Sequence, residues 1–167
     1  QNSGQIQKEE FLFFLLFSRM LTELAFCVRS SRSTQGIVYL KKALRYKTYW
    51  GDKGGITVSG GEPLLHPAFI IEIAREYRQM GLNSAVETCG CVSWDAFEAV
   101  LPWIDLFLFD LKCIDSAKHQ QYCGRGNEQI LSNLSRLCQC ARVIVRMPII
   151  PGINDTDEDL RLAGAYL

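Results

Sequence analysis

The sequence predicts an α/β fold, a parallel sheet of repeated βα units that closes part of a TIM-like barrel. Three observations predict it. Apolar, β-branched runs alternate with helical patterns at intervals of roughly 25 to 40 residues, the rhythm of right-handed βα units. The run Leu106-Phe107-Leu108-Phe109 is apolar at successive positions, as a strand covered on both faces requires. The strand-like runs end in glycines or charged residues, which a parallel sheet gathers on the one rim where such folds bind ligands.

Composition narrows the function classes. The 167 residues are enough for one domain with a real core, and 18 basic residues balance 18 acidic ones. That balance leaves no electrostatic footprint for nucleic acid or an anionic membrane surface. The seven cysteines are odd in number and not spaced as a small disulfide scaffold, which points to a reducing compartment, the cytoplasm.

Residues 1–33 read as a divergent apolar head and linker, and residues 34–167 as the sheet domain. The solid apolar run Phe11 to Phe17 is interrupted by Arg19 and Glu23, well short of the about 20 residues a membrane span needs. Its flank Lys8-Glu9-Glu10 is not net positive and no small-residue cleavage site follows, so it reads as a buried strand or helix, with an anchor or signal segment as the alternative. Arg29 to Ser33 is a serine-rich linker. Thr34 to Trp50 reads as a helix with a solvated basic face at Lys41, Lys42, Arg45 and Lys47, and Trp50 to Gly54 as a turn.

Ile56-Thr57-Val58 is the next strand, ending in Ser59-Gly60-Gly61-Glu62-Pro63. Adjacent glycines permit positive φ and let a ligand approach bare backbone, although a glycine pair alone also fits a plain strand-to-helix turn. Pro67 to Met80 has helical spacing at Phe69, Ile70, Ile73, Ala74 and Tyr77, with Gly81 as its stop. Ser84 to Thr88 is a strand, followed by Cys89-Gly90-Cys91. Ser93 is expected to cap a helix whose inward face is Phe97, Val100 and Leu101. The apolar strand from Asp105 closes on Asp110-Leu111-Lys112. Asp115 to Tyr122 and Asn127 to Gln139 are helices, Val143 to Met147 a fourth strand, and Pro148 to Asn154 a turn. Asp155 or Thr156 caps a last helix.

Gly60, Gly61 and Glu62, then Glu87 and Thr88, then Asp110 and Lys112 end three successive strands, and Arg146 lies near the end of the fourth. Such a rim suits a zwitterion: backbone carbonyls and Glu62 for an ammonium group, Lys112 for a carboxylate. Glu87 and Asp110 could hold a ribose hydroxyl or a small cation. His66 and His119 have no metal-ligand spacing. Phe107, Phe109, Trp94 and Trp103 read as core or rim aromatics, since no basic interleaving accompanies them.

The segments GGITVSGGEPLLHPAF, VETCG, IDLFLFDLK and RMPIIPGIND resemble, in order and spacing, the radical S-adenosylmethionine (SAM) superfamily. The branch is that of the glycyl-radical-enzyme activating enzymes, and the likeness covers residues 34–167 as a truncated partial barrel. The resemblance implies SAM as cofactor, with its amino group at Gly60, Gly61 and Glu62, and its carboxylate near Lys112 of the Asp110-Leu111-Lys112 motif. Glu87 matches the acid of the second motif, and Arg146 stands on the same rim. A monovalent cation is implied at Glu87, Thr88, Leu108 and Asp110. The family's reduced [4Fe-4S] cluster cleaves SAM to a 5′-deoxyadenosyl radical, which abstracts hydrogen from a glycine of a partner glycyl-radical enzyme. A flavodoxin or ferredoxin-type protein supplies the electron. The chain departs from the pattern in its cysteines, since none of the seven has the C-x3-C-x2-C spacing of the cluster loop, and residues 1–33 do not resemble the family's N-terminus. The pairs Cys89-Gly90-Cys91 and Cys138-Gln139-Cys140 read as small semi-buried residues, with the first as an alternative ligand source. A SAM-binding or partner-binding protein without redox activity is the rival reading.

Overall fold

The computed structural model describes residues 54–167. The expectations for the apolar run Phe11 to Phe17, the linker, the helix from Thr34 to Trp50 and most of the turn that follows it lie outside the described residues.

Four strands, β1 (Gly55–Val58), β2 (Asn83–Thr88), β3 (Leu106–Asp110) and β4 (Val143–Arg146), form one sheet in the order β1-β2-β3-β4. All three pairings are parallel. The spatial order follows the chain order with no reversal, which is the progression of a barrel rather than of a doubly wound sheet. The connections carry α1 (Pro67–Gln79), α2 (Trp94–Val100), α3 (Ser116–Cys123) and α4 (Glu128–Leu137), and α5 (Asp157–Tyr166) follows β4. A single 3₁₀ turn, Pro63–Leu65, precedes α1. Among the described residues no helix is long and apolar enough to cross a membrane.

The strand register explains where the core sits. Val58 pairs with Val86, Val86 with Phe107, and Phe107 with Val143, so one row of side chains crosses the sheet on a single face. Val86, Phe107 and Phe109 on that face are completely buried, together with Phe97 and Val100 of α2 and Leu134 and Leu137 of α4. On the opposite face Ala85, Leu106 and Leu108 are half-buried and Ile144 is 49% exposed. The two-sided covering expected of β3 is therefore corrected: among the described residues helices cover one face and leave the other open.

Local signals place the ends of the elements. Gly81 adopts φ 70°, and the amides of Gly81 and Leu82 donate to the carbonyls of Arg78 and Tyr77, the paired bonds that close a helix on a left-handed residue. Asp115 caps α3 by accepting from the Lys118 amide at 2.8 Å. Thr156, rather than Asp155, caps α5. Ser93 stands at the N-cap of α2, yet its side chain makes no capping bond. Asn127 precedes α4 but turns its amide back to the carbonyls of Cys113 and Ile114, both at 2.8 Å. His119 is buried, with Nδ1 2.6 Å from the Arg125 carbonyl oxygen; because that oxygen only accepts, Nδ1 carries the proton.

Gly90 is closely packed against the sheet. Its φ is 75°, and a Cβ there would stand 2.1 Å from Cζ of the fully buried Phe109. Gly90→Ala is expected to destabilise the chain by about 2 to 4 kcal/mol through left-handed strain plus overpacking, measured by urea unfolding. A loss under about 0.5 kcal/mol would show that the loop relaxes freely.

Candidate functional site at the carboxyl edge of the sheet

Parallel pairing brings the ends of all four strands to one edge. On the open face, alternation places Ser59 beyond Thr57, Glu87 beyond Ala85, Asp110 beyond Leu108, and Arg146 beside Asp110. These residues are in contact. The Ser59 hydroxyl donates to Oε2 of Glu87, and Nη2 of Arg146 pairs with Oε1 of Glu87. Nη2 and Nε of Arg146 reach Oδ1 of Asp110 at 2.7 and 2.8 Å. Lys112 Nζ lies 3.0 Å from Oδ2 of the same carboxylate. Two acids and two bases thus form one half-buried, electrically balanced cluster.

Glu62 lines the same loop and spends its carboxylate on protein donors. Its Oε1 accepts from the Leu64 amide at 3.1 Å and from the Thr88 hydroxyl at 2.9 Å, and Oε2 accepts from the Cys89 amide at 3.0 Å. The carboxylate caps the 3₁₀ turn and ties the glycine loop to the end of β2. Thr88 is buried on the helix-covered face, where its oxygen also accepts from the Gly90 amide at 3.0 Å. Leu111 is fully buried, so its motif presents Asp110 and Lys112 at the edge and anchors itself in the core between them.

The two glycines of the loop differ. Gly60 adopts φ 122°, which an L side chain rarely takes. Gly61 has no such demand, and a Cβ built on it meets nothing within 4 Å. The carbonyls of Gly60 and Gly61 accept no hydrogen bond among the described residues. A cavity of about 210 Å³ opens against this loop, lined by Ser59, Gly60, Gly61, Glu62, His66 and Phe69 among others. Backbone whose acceptors are unspent among the described residues therefore lines a cavity, which suits a small ammonium donor.

Two residues that the sequence reading passed over hold the edge in shape. Asn154, almost wholly buried, donates to the carbonyls of Lys112 at 2.8 Å and Pro148 at 2.9 Å, and its Oδ1 accepts from the Ile150 amide at 2.7 Å. It joins the exits of β3 and β4. Asn133 of α4 donates to the carbonyls of Gly90 and Val92 at 2.9 and 2.8 Å, fixing the exit of β2. Each was indistinguishable in sequence from an ordinary turn or helix asparagine.

The six cysteines among the described residues do not assemble. Cys89 and Cys91 are half-buried, Cys113 is buried, and Cys123, Cys138 and Cys140 are exposed. Among the described residues no group of three or more His, Cys, Asp or Glu side chains is arranged to hold a metal. Burial, followed by the hydrogen bond to Glu62, pushes the Cys89 thiol up to about 11, opposite to what a thiolate ligand requires. The described residues therefore do not fit an iron–sulfur cluster: Cys89 and Cys91 are the half-buried residues their spacing suggested and not the alternative ligand source, whereas Cys138 and Cys140, expected to be semi-buried, are exposed because they follow the end of α4 on the surface.

A parallel sheet running in chain order, with a glycine loop and charged strand ends on one edge, defines a partial-barrel protein with a polar ligand edge. The family model of the radical SAM superfamily matches residues 31–163, and the chain belongs to that superfamily. Its members work with SAM and a [4Fe-4S] cluster, and the relatives of this chain are glycyl-radical-enzyme activating enzymes. The isethionate sulfite-lyase activating enzyme of Nitratidesulfovibrio vulgaris is 43% identical over 115 residues, 67% of this chain and 38% of that one. The choline trimethylamine-lyase activating enzyme of Oleidesulfovibrio alaskensis is 41% identical over 115 residues, 68% of this chain and 37% of its own length. The chain thus spans under two fifths of these curated relatives. A solved domain of pyruvate-formate lyase-activating enzyme from Bacteroides vulgatus superimposes with a TM-score of 0.63 at 37% identity, covering 68% of this chain and 71% of that one.

The Glu62–Cys89 contact has a pH signature. Between pH 9, the ordinary thiol value, and about 11, the folded chain keeps a proton that the unfolded chain has lost, so Cys89 makes stability fall as pH rises through that window. Glu62→Gln removes the acceptor charge and is expected to move the alkylation midpoint of Cys89 down from about 11. Peptide-resolved mass spectrometry across a pH series measures it; an unmoved midpoint would leave burial as the whole cause.

Proposed function

We propose that this chain serves a glycyl-radical-enzyme activating function of the radical SAM type, and that its sheet edge holds the methionyl end of SAM. The single observation that carries the reading is Gly61: the fold places no demand on its conformation or its space, while open backbone beside it faces a cavity. Carbonyls of Gly60 and Gly61 receive the ammonium group, and Lys112, whose side chain is 39% exposed, reaches the carboxylate. Glu62 acts through the loop it braces rather than by touching the ligand. Glu87, Asp110, Leu111 and Arg146 complete the edge, with Leu111 as its anchor.

A reduced [4Fe-4S] cluster, which the described residues do not hold, would supply with SAM the one-electron chemistry of the family. The described residues contribute binding and orientation of SAM. The electron comes from a flavodoxin or ferredoxin-type protein, and the six unpaired cysteines among the described residues support a reducing, cytoplasmic setting.

A second reading, SAM or partner binding without redox chemistry, is favoured by the cysteine spacing of these 167 residues. After reconstitution with iron and sulfide and reduction, SAM cleavage to methionine and 5′-deoxyadenosine supports activation, whereas SAM binding without cleavage supports the second reading.

Gly61→Ala adds a methyl where the fold has room, so the melting temperature stays within about 1 °C while SAM affinity falls roughly tenfold or more by calorimetry. Lys112→Ala is expected to weaken SAM by about 10- to 100-fold, the range for a lost charged hydrogen bond. Unchanged affinity in both variants would remove SAM from this edge.

A further inference from the structure

The family resemblance implies a monovalent cation among Glu87, Thr88, Leu108 and Asp110, and the geometry here points elsewhere. We propose that the guanidinium of Arg146 is the resident cation of the Glu87–Asp110 pair, and that this edge therefore takes no alkali ion.

Glu87 and Asp110 stand on neighbouring strands and the same face, offset by one pleat, because Glu87 pairs with Leu108. Two carboxylates so placed repel unless a positive charge lies between them. Arg146 pairs in register with Asp110 from the third strand of the set, and its fork reaches both acids. Lys112 takes the second oxygen of Asp110, and the Ser59 hydroxyl the second oxygen of Glu87. All four carboxylate oxygens thus have partners. The Thr88 hydroxyl is on the covered face, donating to Glu62. The formal charges of Glu87, Asp110, Lys112 and Arg146 sum to zero. An added alkali ion would leave an excess positive charge at a half-buried edge. A guanidinium also suits the task chemically: it stays charged at any working pH, and its planar fork serves two acceptors at once.

The test is made on the full chain with no SAM present, so it stands or falls separately from the ligand proposed above. Melting temperatures are compared in KCl, NaCl and choline chloride at matched ionic strength. The unmodified chain is expected to melt within about 1 °C in all three. Arg146→Gln leaves the cluster one charge negative and is expected to gain roughly 3 to 8 °C in KCl or NaCl over choline at about ten times the ion's dissociation constant. Arg146→Lys, which keeps the charge, is expected to remain indifferent to the salt, and together with the unmodified chain decides the matter should the glutamine variant fail to fold. Selective stabilisation of the unmodified chain or the lysine variant by an alkali ion would overturn the proposal, as would a folded glutamine variant showing no preference over choline.

Discussion

The whole arrangement depends on one constraint, the in-register parallel pairing of four consecutive strands. Parallel strands cannot be joined by a hairpin, so each connection must return across the sheet, and all the strand ends of one polarity arrive at one edge. Residues separated by as much as 87 positions in the chain, such as Ser59 and Arg146, become members of one charged cluster. A slip of one residue in any pair would send Glu87 or Asp110 to the helix-covered face and bring Thr88 or Phe109 out.

The two faces of the sheet divide the work. One is sealed by α2 and α4 through completely buried Val86, Phe107, Phe109, Phe97 and Leu134, and fixes the strands in place. The other keeps half-buried apolar side chains below and a neutral ionic cluster above. Between them runs Glu62, whose carboxylate gathers two amides, a hydroxyl and a thiol from the exits of β1 and β2. The loop is thereby held firm by a side chain while its backbone remains open, a division of roles that a motif of three residues conceals.

Much of this was legible in the sequence. The strands declared themselves through β-branched or aromatic runs, and α1 through its apolar spacing and Gly81. The convergence of Gly60, Gly61, Glu87, Asp110, Lys112 and Arg146 followed from the parallel sheet alone. What was not legible depended on the direction a side chain takes or on a distant partner. Nothing local says that Glu62 and Thr88 bond to each other across 26 positions. The run through Leu106 and Leu108 looked as buried as Phe107 and Phe109, because hydrophobicity records that a residue tolerates burial, not that something covers it. Ser93 and Asn127 both occupy capping positions without capping, for Asn127 finds carbonyls 13 and 14 residues back.

Three buried asparagines, Asn127, Asn133 and Asn154, share one chemical trait: each points an amide nitrogen at two backbone carbonyl oxygens of the loops leaving the sheet. Aspartate, isosteric but without an N–H, would set oxygen against oxygen at every one of these points. The side-chain amide is thus the one group of this size that fits all three places, and the loops around the sheet edge owe their shape to a nitrogen while the packed hydrocarbon beneath them owes nothing to it.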